Sequence, residues 1–109
     1  MDSKTEKAAR TFLQRVSGRY NVTNAFLFGS RARGVFRPDS DADIAVLIHG
    51  AKSPRVDAAL EMADIAFDVM METGVLIEAL PLWEDEWEHP EIFNNPALIE
   101  NIRQEGIQL

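Results

Sequence analysis

Two aspartates at the mouth of an apolar run constrain this chain more than any other feature. In FLFGSRARGVFRPDSDADIAVLI, residues 26–48, Asp41 and Asp43 stand just before IAVLI, a run that is apolar at every position. Such a run suits a strand buried on both faces in a sheet. Carboxylates do not suit that setting, because an unpaired buried charge carries a heavy desolvation cost. Either the aspartates hold something cationic, or the strand begins later than the apolar pattern suggests.

Patterning around this stretch predicts alternating helices and strands. Ser3 followed by Glu6 reads as a capping box, and Ala9, Phe12, Leu13 and Val16 recur at helical spacing over residues 4–16. Gly18 is expected to end that helix. The short run NAFLF, bounded by Asn and Gly, predicts a first strand at about 22–28, and residues 30–34 a short helix. RPDS at 37–40 is turn chemistry, and ADIAVLI at 42–48 is a second strand. Ser53 and Pro54 read as a cap and first helical residue, with Val56, Leu60, Ala63, Phe67 and Met70 as the inward stripe of a helix ending near Gly74. Met62, Met70 and Met71 are read as packing residues of that helix.

VLIEAL at 75–80 predicts a third strand, interrupted by Glu78. PLWEDEWEHP predicts a short acidic helix with Trp83 and Trp87 one turn apart, its Glu84, Asp85, Glu86 and Glu88 solvated and its tryptophans packed. Asn95 and Pro96 open a last helix that closes by Gly106. The order α-β-β-α-β-α predicts an α/β (α+β) chain, a small mixed sheet with helices packed on it. A length of 109 residues predicts one domain over 1–109.

Charge and composition narrow the function classes. Residues 1–37 carry eight Lys/Arg and two Asp/Glu, whereas residues 38–109 carry three and sixteen. An acidic surplus of this size argues against direct nucleic-acid binding, while leaving room for a small basic pocket that takes a polyphosphate. With no cysteine and no closely spaced histidine pair, a zinc site is not expected, and His49 and His89 read as loop residues. No apolar run reaches the roughly 18 residues of a membrane span, and MDSKTEKAAR lacks an apolar signal core, so no membrane and a cytoplasmic location are expected.

The chemistry gathers between Gly29 and Asp43. A glycine where a strand gives way to a helix lets phosphate approach outward-pointing N–H groups, and Ser30 adds a hydroxyl donor. Alternation puts Asp41 and Asp43 on one strand face, with α-carbons roughly 6.6 Å apart at about 3.3 Å per residue. That spacing suits hard cations such as Mg²⁺, which take oxygen ligands and are usually held by one or two carboxylates plus phosphates. Each half is a weak signal alone. At residue frequencies of roughly 5–7%, Gly-Ser, about ten residues, then Asp-x-Asp arises by chance in about one chain per thousand of this length.

The stretch GSRARGVFRPDSDAD closely resembles the signature of the nucleotidyltransferase superfamily that includes DNA polymerase β and the aminoglycoside nucleotidyltransferases. The small size resembles its minimal nucleotidyltransferase (MNT) group, whose members are often antitoxins encoded beside a HEPN-domain ribonuclease toxin. The resemblance implies a polymerase β-like fold and transfer of a nucleotide from a nucleoside triphosphate to a hydroxyl, with two Mg²⁺ ions and loss of pyrophosphate. Position by position, it implies that Gly29 and Ser30 hold the β- and γ-phosphates and that Asp41 and Asp43 ligate metal. It also implies a third carboxylate on a later strand, for which Glu78 is the candidate; an edge strand with Glu78 turned to water is the alternative. Arg31, Arg33 and Arg37 suit a triphosphate, Arg33 best of the three. Ala42 stands where the family more often has a bulkier aliphatic, a difference expected to affect packing alone.

The expected activity is AMP transfer from ATP to a hydroxyl of a HEPN toxin, in a hetero-oligomer with that toxin. A chain of this length has little with which to enclose a second substrate, so the acceptor surface is expected on another protein. Two other readings remain open: an antitoxin that only binds and masks its toxin, and a subunit acting on a small molecule such as an antibiotic.

Overall fold

The computed structural model describes all 109 residues. Helix α1, Ser3–Val16, is capped by Asp2, whose carboxylate accepts from the Thr5 N–H at 3.0 Å. This displaces the expected capping box by one residue: Ser3 is already helical, the Glu6 N–H donates to the Asp2 carbonyl at 3.0 Å, and the Glu6 side chain pairs with Arg10 at 2.9 Å. Strand β1, Val22–Phe28, helix α2, Ser30–Arg33, and strand β2, Ala42–Ile48, lie where the pattern predicts.

Helix α3, Arg55–Thr73, begins one residue later than expected, with Pro54 rather than Ser53 at the cap. Strand β3 is Ile77–Trp83, displaced from the expected 75–80 because it pairs in parallel with β2 from Ala42↔Ile77 to Ile48↔Trp83. Pro81 is tolerated inside it because β3 is an edge strand. Helix α4 is Glu84–Glu88, so Trp83 belongs to the strand end and not to the helix. A short 3₁₀ segment, Pro90–Ile92, precedes helix α5, Pro96–Glu105, which Asn95 caps as expected. A two-residue strand that the pattern did not predict, β4 (Ile107–Gln108), closes the far edge against β1.

The sheet runs β3-β2-β1-β4, with β2–β3 parallel and the other pairs antiparallel. On one face Leu27, Ile44 and Val46 pack with Phe12 and Val16 of α1 and Met62 and Val69 of α3. On the other face Ala45, Leu47 and Leu82 meet Phe93, Ile99 and Ile102. Truncating a fully buried residue such as Leu27 or Ile44 to alanine would cost about 2–5 kcal/mol. Central β2 is thus buried on both faces, as IAVLI predicts.

Helix α3 turns the opposite way from its expected stripe. Its buried line is Ala58, Met62, Ile65, Ala66 and Val69, while Val56, Leu60, Ala63 and Phe67 are exposed. Met62 packs as expected, but Met71 lies in the open. Small residues win the inner face because Ala58 and Ala66 let the helix approach the sheet and α1 closely.

The acidic helix also differs from its expected solvated face. Glu86 is buried, with its carboxylate paired to the Arg55 guanidinium and accepting from the Trp83 N–H at 3.0 Å. Trp83 is buried and Trp87 stacks on Phe26 at 5.0 Å, so both tryptophans pack inward as expected. No helix is long and apolar enough to cross a membrane.

Candidate active site

Strand register brings the predicted residues to one end of the sheet, where β1 ends and β2 and β3 begin. Phe28 of β1 pairs with Asp43, and Asp43 pairs with Glu78 on β3. Alternation then sets Asp43 and Glu78 side by side on the face that also carries Ala45, Leu47, Leu80 and Leu82. Asp41 stands immediately before β2, two residues from Asp43. Glu78 is on an edge strand and exposed, as its alternative reading held, yet it still shares Asp43's face.

Gly29 completes the juxtaposition. Its backbone, at φ 77° and ψ −157°, occupies a region that is essentially glycine-only. A Cβ placed there would lie 2.3 Å from Asp43 Oδ2, so the glycine backbone rests directly against that carboxylate. Ser30 opens α2 and is half-buried. Gly29 and Asp43, fourteen residues apart in sequence, are therefore neighbours in space.

Electrostatics at this end are strained. Burial pushes the Asp43 carboxyl above its ordinary value; the negative charges of Glu78 and Asp41 add to the rise, and Arg33 opposes it. Arg33 is half exposed and stands 3.8 Å from Glu105 of α5. Clustered carboxylates with so little cationic support make a good seat for a divalent ion.

No group of three or more His, Cys, Asp or Glu side chains is drawn together tightly enough to cage an ion unaided. The donor set nonetheless fits Mg²⁺: it is all oxygen, and that ion completes its octahedron with substrate phosphates and water. Asp41, Asp43 and Glu78 are the residues that could hold it.

The other two arginines are not available to a phosphate in the way a basic run suggests. Arg31 is buried, donating from Nε to the Ser40 carbonyl at 2.9 Å, from Nη2 to the Pro38 carbonyl at 3.1 Å and from Nη1 to Thr5 Oγ1 at 2.9 Å. It also lies over the Phe36 ring at 4.5 Å. Arg31 therefore pins the turn that delivers Asp41, a positioning role that no local pattern reveals. Arg37 is fully on the surface, 3.8 Å from Asp39.

Two clefts flank Glu78. One, of about 350 Å³, is lined by Asp41, Ala59, Ala63, Leu76 and Ile77 with Glu78. The other, of about 270 Å³, is lined by Phe28, Asp43, Leu80 and Leu98 with Glu78. Their apolar walls escaped the sequence reading; Phe28, the residue before Gly29, was the one available signal.

Solved structures share this fold. A candidate nucleotidyltransferase from Sulfolobus solfataricus is 21% identical, with a TM-score of 0.54, and the match covers 99% of this chain and 86% of that one. A toxin–antitoxin crystallised with AMP-PNP is 20% identical, with a TM-score of 0.64, over 94% of this chain and 70% of that one. Comparison with the curated proteins returns no match. The architecture is the small mixed α/β arrangement of polymerase β-like nucleotidyltransferases. The family model described as "Nucleotidyltransferase domain" matches residues 9–106, and the chain belongs to that family.

Proposed function

We propose that this chain is a Mg²⁺-dependent antitoxin that transfers AMP from ATP to a hydroxyl of a HEPN ribonuclease toxin and so silences it. The observation that carries this reading is the register pair Asp43–Glu78, with Asp41 beside it and Gly29 packed against Asp43. The structural likeness to a toxin–antitoxin crystallised with AMP-PNP supports both the nucleotide and the kind of partner.

In this reading Gly29 and Ser30 receive the β- and γ-phosphates, and Arg33 adds counter-charge. Asp41, Asp43 and Glu78 would hold two Mg²⁺ ions, which when bound supply charge stabilisation at the attacking and leaving oxygens. Glu78, exposed between the two clefts, would orient the metal or take the proton of the acceptor hydroxyl. The acceptor oxygen bonds to the α-phosphorus, the bond from that phosphorus to the bridging oxygen breaks, and pyrophosphate leaves with the electron pair. Such a transfer needs chiefly positioning and charge stabilisation, so few further side chains are required.

Intact-mass analysis of the partner after incubation with ATP and Mg²⁺ tests the proposal. A gain of whole AMP units that the Asp41→Asn/Asp43→Asn variant cannot produce is expected. An unchanged mass, under conditions where the complex forms, would count against transfer. The absence of a preformed three-carboxylate cage favours keeping a second reading, neutralisation by masking alone. In that case the double variant protects cells from the toxin as well as the unaltered chain does.

A further inference from the structure

The apolar stripe on α3 has no partner within the fold. Val56, Leu60, Phe67 and Met71 are 62%, 63%, 55% and 65% exposed. Their spacing lines them along one helix face, with Ala63 forming a notch between Leu60 and Phe67. From Val56 to Met71 the line is about 22 Å long at about 1.5 Å per residue. Solvent-exposed apolar surface that is continuous over several turns marks an interaction site.

The two sides of this stripe differ. On one side Ala59 and Ala63 open into the cleft that ends at Asp41 and Glu78, with exposed Leu76 across it. On the other side α3 carries an acidic row: Asp57, Glu61, Asp64, Asp68 and Glu72. Arg15 of α1 and Arg19, in the turn that follows it, pair with Glu72 and Glu61 at 2.6 and 2.8 Å. Asp57, Asp64 and Asp68 enter no ion pair, so a negative rail borders the stripe.

We infer that this face docks one amphipathic helix of a partner protein, apolar on its inner side and flanked by Lys or Arg. The acidic rail supplies the complementarity, and the adjoining cleft leads from the docked helix to the carboxylates. A second copy of this chain fits poorly: its net charge is also −7, and an antiparallel α3 pair would set both acidic rows on the same side. The inference rests on the partner-directed reading of the site, and names the surface by which the acceptor is presented.

Two synthetic helical peptides of about 18 residues serve as probes, one built from Leu and Lys and one from Leu and Glu on the same pattern. Fluorescence anisotropy should show the Leu/Lys peptide binding the full chain, weakened about tenfold or more by Leu60→Ser/Phe67→Ser. Asp64→Asn/Asp68→Asn should weaken it less and flatten its dependence on salt. Equal binding of both peptides, indifference to the Leu60/Phe67 change, or a chain that sediments as a dimer split by that change would each overturn the inference. Mg²⁺-dependent AMP-PNP binding, measured on the same samples, separates the two claims. If it is retained while the Leu/Lys peptide fails to bind, the docking surface alone is wrong; if it is absent while that peptide binds, the catalytic reading alone is wrong.

Discussion

Glu86 and Asp43 are both carboxylates withdrawn from water, and the protein treats them in opposite ways. Glu86, 3% exposed, is answered by the Arg55 guanidinium and the Trp83 N–H, with Arg55 also donating to the Pro81 carbonyl at 2.6 Å. Burial alone would raise its carboxyl, but the Arg55 and Trp83 hydrogen bonds hold it below the usual 4.5. Asp43 is surrounded by Asp41 and Glu78, and burial and like charge push it upward. Glu86, on α4, ties β3 to α3; Asp43, half-buried, makes no ion pair, which is what the proposed cation site requires. The difference is that between a structural ion pair and a candidate functional site.

Removing the support of Glu86 should have the largest effect on the fold. Arg55→Ala leaves a buried carboxylate unpaired and should cost about 3 kcal/mol. Calorimetry should show the melting temperature falling by about 10–20 °C. Gly29→Ala attacks the other carboxylate. It forces a side chain into a glycine-only conformation and against Asp43, for about 1–3 kcal/mol, and should weaken AMP-PNP binding as well.

Acid titration separates the pair by sign. A folded pKa below the unfolded value means that Glu86 contributes its full stabilisation above about 4.5 and loses it as the pH falls through the folded value. Chemical denaturation from pH 6 down to 3 should therefore show a stability loss that Glu86→Gln flattens. Asp43 runs the other way: its folded pKa lies above 3.8, so its ionised form destabilises the metal-free protein as the pH rises through that value. Asp43→Asn should raise the melting temperature at pH 7 by a few degrees, roughly what fractions of a kcal/mol produce in a domain of this size, while abolishing transfer.

These two carboxylates also mark how far the sequence could be read. Asp43 was legible because its signal is local: a glycine at a strand end, a turn of fixed chemistry and an Asp-x-Asp entering an apolar run. Register then brought Gly29 and Glu78 to it. Glu86 was read as solvated because its partner lies 31 residues away, across the β2–β3 crossover. Arg31 was misread for the same reason, since the carbonyls it holds become neighbours only once the turn has formed.

The face of α3 was misread for a different reason. Apolar residues cover more than half of that helix, and periodicity favours the largest of them. Close packing favours the smaller ones, Ala58 and Ala66, and leaves Leu60 and Phe67 outside. A stripe that is exposed because the core does not need it is the stripe free to meet a partner.

The central claim is that the carboxylates at the Gly29 end of the sheet hold a metal-bound nucleotide. Isothermal titration calorimetry with AMP-PNP, run with Mg²⁺ and with EDTA, tests it most directly. The account predicts binding to the unaltered chain that requires Mg²⁺ and is lost in Asp41→Asn/Asp43→Asn. Binding of equal strength in EDTA, or in the double variant, would contradict it.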